Sequence, residues 1–113
     1  MNKYLLLLRE DLEKMQQLSE EEIQQCTAVM TKWCEDLAAE GFFVAGEPLD
    51  IETRYVKPGH IGTDGPFAEA RESISGYILV HARDLEHAAA IAAQCPHVSV
   101  YNGAVEVRPL MAH

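Results

Sequence analysis

The sequence predicts an α+β fold, a ferredoxin-like β-α-β-β-α-β sandwich that pairs into a dimeric α/β barrel. Three observations carry this prediction: two strand-like runs that are apolar on both faces, two capped amphipathic helices, and the alternation of strands and helices along the chain. We expect residues 1–113 to form a single domain, because 113 residues is close to the commonest domain size and suffices to bury a core.

The first half of the chain contains the clearest local signals. Lys3–Arg9 is apolar on both faces, as expected of a strand in the middle of a sheet. Ser19 and Glu22 have the spacing of a capping box, which marks the start of a helix. Apolar residues then recur at helical spacing as far as Ala38, and Gly41 supplies a left-handed stop.

The second half of the chain continues the same alternation. In order, we predict strands at Phe42–Leu49, Ile51–Val56 and Ser75–Ala82, a helix capped by Asp84 and ended by Pro96, and a last strand at Ala104–Leu110. Residues 57–67 contain three glycines and two prolines, which indicates an irregular segment between the third and the fourth predicted strand.

The expected sheet has one face covered by helices and one face bare. A bare apolar face is larger than a soluble monomer usually exposes. Two copies that pack face to face would cover it, so the predicted partner is a second copy of the chain, in a homodimer.

The net charge of the chain disfavours two classes of partner, nucleic acid and anionic membranes. Eighteen acidic residues against nine basic ones give a net charge of −9. An anionic surface repels phosphate backbones and anionic lipids, so we expect neither nucleic acid nor membrane as a partner. Three cysteines and no recognisable signal peptide predict free thiols in a reducing cytoplasm.

One segment carries a recognisable family motif. Residues 64–72 read Asp-Gly-Pro-Phe-Ala-Glu-Ala-Arg-Glu, and Gly76-Tyr77 opens the strand that follows. This pattern resembles the motif of the YCII-related family, in its DGPF-motif branch. Further matches to the family pattern lie at residues 4–7, 46–49, 84–88 and 105–110. The resemblance covers nearly the whole chain, so residues 1–113 are expected to be one YCII-related (DGPF) domain.

The resemblance implies a ferredoxin-like fold, a dimeric α/β barrel and a cleft lined by the DGPF segment. The family is mostly without an assigned function, so the expectation is an uncharacterised small-molecule-binding domain. The candidate ligand-binding residues are Gly65, Pro66, Phe67, Glu69, Arg71, Glu47 and His81. For the charged members of this set, surface ion pairing is the alternative, and His81 is alternatively a hydrogen-bonded core residue.

Asp64 is the candidate catalytic residue. A carboxylate on a rigid Gly-Pro turn that faces a partly closed cleft can act as a general base. Alternatively, Asp64 accepts local backbone N–H groups as part of the turn. His60, four residues earlier, either pairs with Asp64 as a proton shuttle or is an exposed loop histidine. Narrower branches of the family pair this aspartate with an early histidine, and this chain has none before His60.

The alternative to a binding domain is therefore a cofactor-independent acid–base enzyme, lyase- or isomerase-like, that acts on a small organic acid or aromatic. The sequence contains no zinc-ligand spacing, no Walker A loop, no dinucleotide fingerprint and no nucleophile elbow. We accordingly predict neither a metal nor a cofactor.

Overall fold

The structure, a computed structural model, describes residues 1–62 and 72–112. Its elements are β1 (Asn2–Asp11), α1 (Leu12–Gln16), α2 (Glu20–Ala39), β2 (Phe43–Pro48), β3 (Tyr55–Lys57), β4 (His60–Gly62), β5 (Glu72–Ala82), α3 (Leu85–Gln94), α4 (Pro96–Ser99) and β6 (Ala104–Pro109). None of the helices in these ranges has the length and apolar character that a membrane crossing requires.

Four strands form the main sheet, in the order β2-β5-β1-β6, with each neighbouring pair antiparallel. The α+β class is confirmed, and this strand order is compatible with the predicted ferredoxin-like arrangement. The two central strands are β5 and β1, which are the two runs that the sequence marks as apolar on both faces. The outer strands, β2 and β6, both end in a proline.

The core lies between this sheet and the helices. Along β1 the residues Tyr4, Leu6 and Leu8 are buried, and on β5 their counterparts are Ile78 and Val80. Leu37 of α2 and Ala88, Ile91 and Ala92 of α3 complete this cluster from the helix side. Because side chains alternate between the faces of a strand, the residues between these positions point to the opposite side of the sheet.

The long helix begins and ends where the sequence predicts. The backbone N–H of Glu22 donates to Ser19 Oγ at 3.1 Å, and the N–H of Ser19 donates to Glu22 Oε1 at 3.2 Å, which confirms the capping box. Gly41, with φ of 85°, lies just beyond the helix. Leu37 is nevertheless the one residue of α2 that is buried, while Trp33 and Cys34 are partly buried against the core.

Residues 51–62 differ from the prediction. Instead of a strand at Ile51–Val56 followed by an irregular segment, β3 and β4 form a short hairpin in a separate two-stranded sheet. Pro58 and Gly59 occupy the turn, and Gly59 has φ of 77°. Proline followed by a residue of positive φ is typical of a type II turn, so the two residues that suggested irregular structure instead reverse the chain.

Pro96 also has a second role. It lies just beyond the helix α3, as predicted, and it is the first residue of the short helix α4. Proline suits this position because the first helical N–H has no partner within the helix.

Candidate functional site

The side of the sheet opposite the helices, here called the open face, is the candidate site. Its centre is apolar: Leu5 pairs with Leu79, and Leu7 pairs with Tyr77. Directly opposed residues in antiparallel strands point to the same side, so these four side chains form one patch. Each of them is half-buried, whereas the residues that alternate with them are buried.

Polar side chains surround this patch. Glu47 on β2 is opposite Tyr77, and His81 on β5 is opposite Lys3. The two candidate residues on the sheet, Glu47 and His81, therefore face the open side, where Glu47 is exposed and His81 is half-buried. With the tyrosine hydroxyl, they provide hydrogen-bonding groups at the border of an apolar surface.

Three charged side chains, linked by ion pairs, lie along the other side of the patch. Arg9 on β1 approaches Glu106 on β6, with 3.5 Å between Nη1 and Oε1, and Arg108 approaches the same carboxylate at 3.1 Å. All three side chains are part-exposed, so these ion pairs contribute little to stability. Their effect is to hold two guanidinium groups beside the apolar centre. Nothing in the sequence singles out these three residues for a site, although their alternation with Val105 and Val107 puts Glu106 and Arg108 on one face of the strand.

Most of the DGPF motif lies outside the described residues. This applies to the candidate base Asp64 and to Gly65, Pro66, Phe67, Glu69 and Arg71. The two ends of the segment are described. It leaves the hairpin after Gly62 and enters β5 at Glu72, which pairs with Asp11 at the end of β1.

His60 lies on the hairpin and not on the main sheet. It is exposed, and its backbone pairs with Lys57 beside the turn. Its ring folds back along the strand, so that a Cβ on residue 62 would lie only 2.6 Å from His60 Nε2. Glycine at position 62 allows this close approach, and the imidazole is thereby directed towards the end of β4, where the DGPF segment begins.

A second histidine, His97, holds the backbone of β1 in place, a role that the sequence did not indicate. His97 on α4 is 7% exposed, and its Nε2 lies 2.8 Å from the carbonyl oxygen of Arg9. The strand β1 has a register shift against β5 between Leu8 and Arg9, and His97 binds the backbone at this point. His97 thus fixes the strand end from the helix side while the Arg9 side chain lies on the open face.

The cysteines are free thiols, as the sequence predicts. Cys95 is fully buried, and burial raises the pKa of its thiol to about 11. Burial also raises the pKa of the Cys34 thiol. Because the thiolate is the nucleophilic form, neither residue is suited to nucleophilic catalysis at neutral pH.

Two other kinds of site receive no support from residues 1–62 and 72–112. Within these ranges, no group of three or more His, Cys, Asp or Glu side chains is arranged to bind a metal ion. A depression of about 260 Å³ lies on the helix side of the sheet, lined by Ala89, Ala92, Ala93, Val98, Gly103, Ala104, Val105 and Val107. Its lining has no titratable side chain, so it offers no group for acid–base chemistry.

Comparison with known proteins assigns the chain to a family. No curated protein matches the chain. The model of the YCII-related domain matches residues 3–112, which is nearly the whole length of the chain. The chain is therefore a member of the YCII-related domain family.

Proposed function

We propose that this chain is a small-molecule-binding domain whose ligand lies against the open face, beside the DGPF segment. The observation that supports this proposal is the composition of that face: an apolar centre of half-buried side chains bordered by a carboxylate, a phenol, an imidazole and two guanidinium groups. Ligand sites usually combine an apolar floor with a few polar groups that fix orientation.

The polar groups suggest the class of ligand. Leu5, Leu7 and Leu79 suit the apolar body of a small organic acid or aromatic compound. Arg9 and Arg108 favour a carboxylate or phenolate on that body, and the Tyr77 hydroxyl can donate to the same group. The site requires no metal or cofactor for binding of this kind, and the net charge of −9 disfavours nucleic acid and anionic membranes as alternatives.

The DGPF segment is proposed as the second wall of the site. Its C-terminal end leads directly into β5, the strand that carries Tyr77, Leu79 and His81. In this arrangement Phe67 extends the apolar surface, Glu69 and Arg71 provide polar contacts, and Gly65 and Pro66 form a rigid turn that presents Asp64.

A homodimer completes the proposal. The chain has a radius of gyration of 15.2 Å, whereas a compact domain of this length has about 13 Å. It is also flat, with extents of 42 × 41 × 18 Å. A second copy packed on the open face would enclose the ligand between two sheets and bury about 800 Å² per subunit. The buried and half-buried free thiols suit a reducing compartment, so we place the dimer in the cytoplasm.

One observation favours the catalytic alternative, in which Asp64 is a general base. The His60 ring is directed towards the start of the DGPF segment, four residues before Asp64. A carboxylate and an imidazole in contact could exchange a proton with a small organic acid or aromatic compound in a lyase- or isomerase-like reaction. Turnover of a bound compound would establish this role.

The test of the proposal is a thermal-shift screen with small carboxylic acids and phenols. A ligand at about 100 times its dissociation constant stabilises the folded state by about 2.7 kcal/mol, which raises the melting temperature by several degrees. We expect this stabilisation to disappear in Arg9→Ala and Asp64→Asn and to persist in Glu52→Gln, which changes an exposed carboxylate outside the site. If no compound of these classes stabilises the wild-type protein, the proposed ligand class is wrong.

A further inference from the structure

Three sulfur atoms meet where α2 packs against the start of α4. Cys95 Sγ lies 3.9 Å from Met30 Sδ on α2. Cys34 is four residues beyond Met30, and residues with this spacing share one face of a helix. The pKa of the Cys95 thiol is raised by burial and, to a lesser extent, by the thiol of Cys34, which therefore lies close to it. Met30, Cys34 and Cys95 are here called the sulfur cluster.

The sulfur cluster is shielded from water but is not closed. Cys95 is fully buried, whereas Met30 and Cys34 are partly buried against the core. An ion can therefore approach from the α2 side and lose its water as it reaches Cys95, in surroundings that control solvent access to the sulfurs. The cluster lies on the helix side of the sheet, so it is separate from the open face.

The spacing of the sulfur atoms suits a shared metal ion. Two sulfur ligands that each lie about 2.3 Å from one ion, in trigonal or tetrahedral geometry, are about 3.8 to 4.0 Å apart. The separation of 3.9 Å between Met30 Sδ and Cys95 Sγ falls in this range, so neither side chain has to move. Two sulfur atoms that simply pack in a core have a similar separation, so the distance permits an ion without requiring one.

The chemistry of the three side chains selects the ion. Thiolate and thioether sulfur are soft ligands, which favour Cu(I) over Mg²⁺, Ca²⁺ or Mn²⁺. Zinc sites draw their ligands from Cys, His, Asp and Glu, and in the part of the chain that the structure describes no third residue of these types joins Cys34 and Cys95. Iron–sulfur clusters typically use four cysteines, and the chain has three.

We propose that Met30, Cys34 and Cys95 form a binding site for Cu(I), with two thiolates and one thioether around the ion. Binding breaks two S–H bonds and forms two copper–thiolate bonds; the two protons pass to water, and no electron is transferred. The ion and the two thiolates together carry a charge of −1. The backbone N–H groups of His97 and Val98 favour the thiolate of Cys95 and so stabilise this charge.

The first test measures Cu(I) binding directly. The reduced chain competes for Cu(I), without oxygen, against a coloured Cu(I) chelator whose absorbance reports the affinity. We expect one Cu(I) per wild-type chain. Removal of a residue that only supports a metal ligand costs roughly 10- to 100-fold in affinity, so Cys34→Ala and Cys95→Ala should raise the Kd by at least roughly 100-fold. Met30→Leu, which preserves side-chain volume, should raise it by roughly 10-fold.

Cys26→Ala and Met15→Leu are the matched controls, and both should bind Cu(I) like the wild type. Cys26 is eight residues before Cys34, about 12 Å along the axis of α2, so the two thiols cannot share an ion. Met15 belongs to α1. An unchanged affinity in Cys34→Ala overturns the proposal, and so does a loss in Cys26→Ala as large as that in Cys34→Ala.

The second test shows whether the fold builds the site. Cu(I) raises the melting temperature only if it binds the folded chain more tightly than the unfolded one. We expect a rise of several degrees for the wild type and Cys26→Ala, and none for Cys34→Ala. X-ray absorption at the copper edge should show three sulfur neighbours at about 2.3 Å.

Two results of this second test contradict a built site. If Cu(I) leaves the melting temperature of the wild type unchanged, the thiols bind copper no better in the folded chain than in the unfolded one. If nitrogen or oxygen neighbours replace the sulfurs in the absorption spectrum, the ion lies elsewhere on the chain. If Cys95→Ala does not fold, Cys34→Ala and Met30→Leu decide both tests.

Discussion

Leu6 and Leu7 are neighbours in β1, yet they belong to opposite sides of the molecule. Leu6 is fully buried against the helices, and Leu7 is half-buried on the open face. The helix side of the sheet has apolar partners in α2 and α3, whereas the open side has an apolar centre bordered by charges. The difference indicates that the helix side provides the stability of a single chain, while the open side remains available for a ligand or a second copy.

The strongest test of this comparison exchanges each leucine for alanine. Leu6→Ala should lower the free energy of unfolding by about 3 kcal/mol, because it leaves a cavity in a closed core. Leu7→Ala should lower it by about 1 kcal/mol, since its side chain is already partly in water. Urea unfolding at a protein concentration low enough to keep the chain monomeric measures both. Equal losses would show that the open face is enclosed as tightly as the core.

The buried His97 and the half-buried His81 give a second, smaller contrast between the two sides of the sheet. His97→Ala removes a buried ring and its hydrogen bond to the Arg9 carbonyl, so we expect a loss of about 2 kcal/mol in the free energy of unfolding. His81→Ala, on the open face, should change it by less than about 0.5 kcal/mol. The same urea titration decides the matter, and a larger loss for His81 than for His97 would reverse the roles assigned to the two sides.

The buried thiol of Cys95 gives the smallest expected change in the free energy of unfolding, and this change depends on pH. The folded state raises the pKa of Cys95 from 9.0 to about 11, so above pH 9 the unfolded chain releases this proton first. Stability from the neutral thiol is therefore complete below pH 9 and is lost as the pH rises towards 11. At pH 10 the loss amounts to about 1 kcal/mol.

The control for this prediction is Cys95→Ala, which cannot titrate. The free energies of unfolding of the wild type and the variant, measured between pH 8 and pH 10.5, should converge as the pH rises. Parallel curves would show that Cys95 has an ordinary pKa and is less protected from water than its position in the core implies.

The sequence predicted those features that depend on neighbouring residues. The capping box of Ser19 and Glu22 acts within one helical turn, and the two-sided apolar pattern of β1 and β5 follows from their central position in the sheet. The same alternation put His81 on a strand, where its neighbours Val80 and Ala82 face the core. Family resemblance supplied the DGPF motif, which local patterns alone would not have separated from an ordinary turn.

What the sequence did not show depends on contacts between distant residues. His97 and Arg9 are 88 residues apart, and Arg9 and Glu106 are 97 apart, so neither contact has a local signal. The hairpin is a different case. The turn at Pro58 and Gly59 had a recognisable pattern, but the short strands on either side lack the regular alternation that identifies longer ones.

The prolines at the ends of β2 and β6 limit how the molecule can aggregate. The amide of Leu49 donates to Ser75, and that of Leu110 donates to Lys3, so both amides point into the sheet. Because amide direction alternates along a strand, the nitrogens of Pro48 and Pro109 point outwards, where they have no hydrogen to donate. Both rims of the sheet are thus interrupted, which opposes the growth of ribbons or fibrils by strand addition. Self-association through the open face, as in the proposed homodimer, would instead stop at a closed pair.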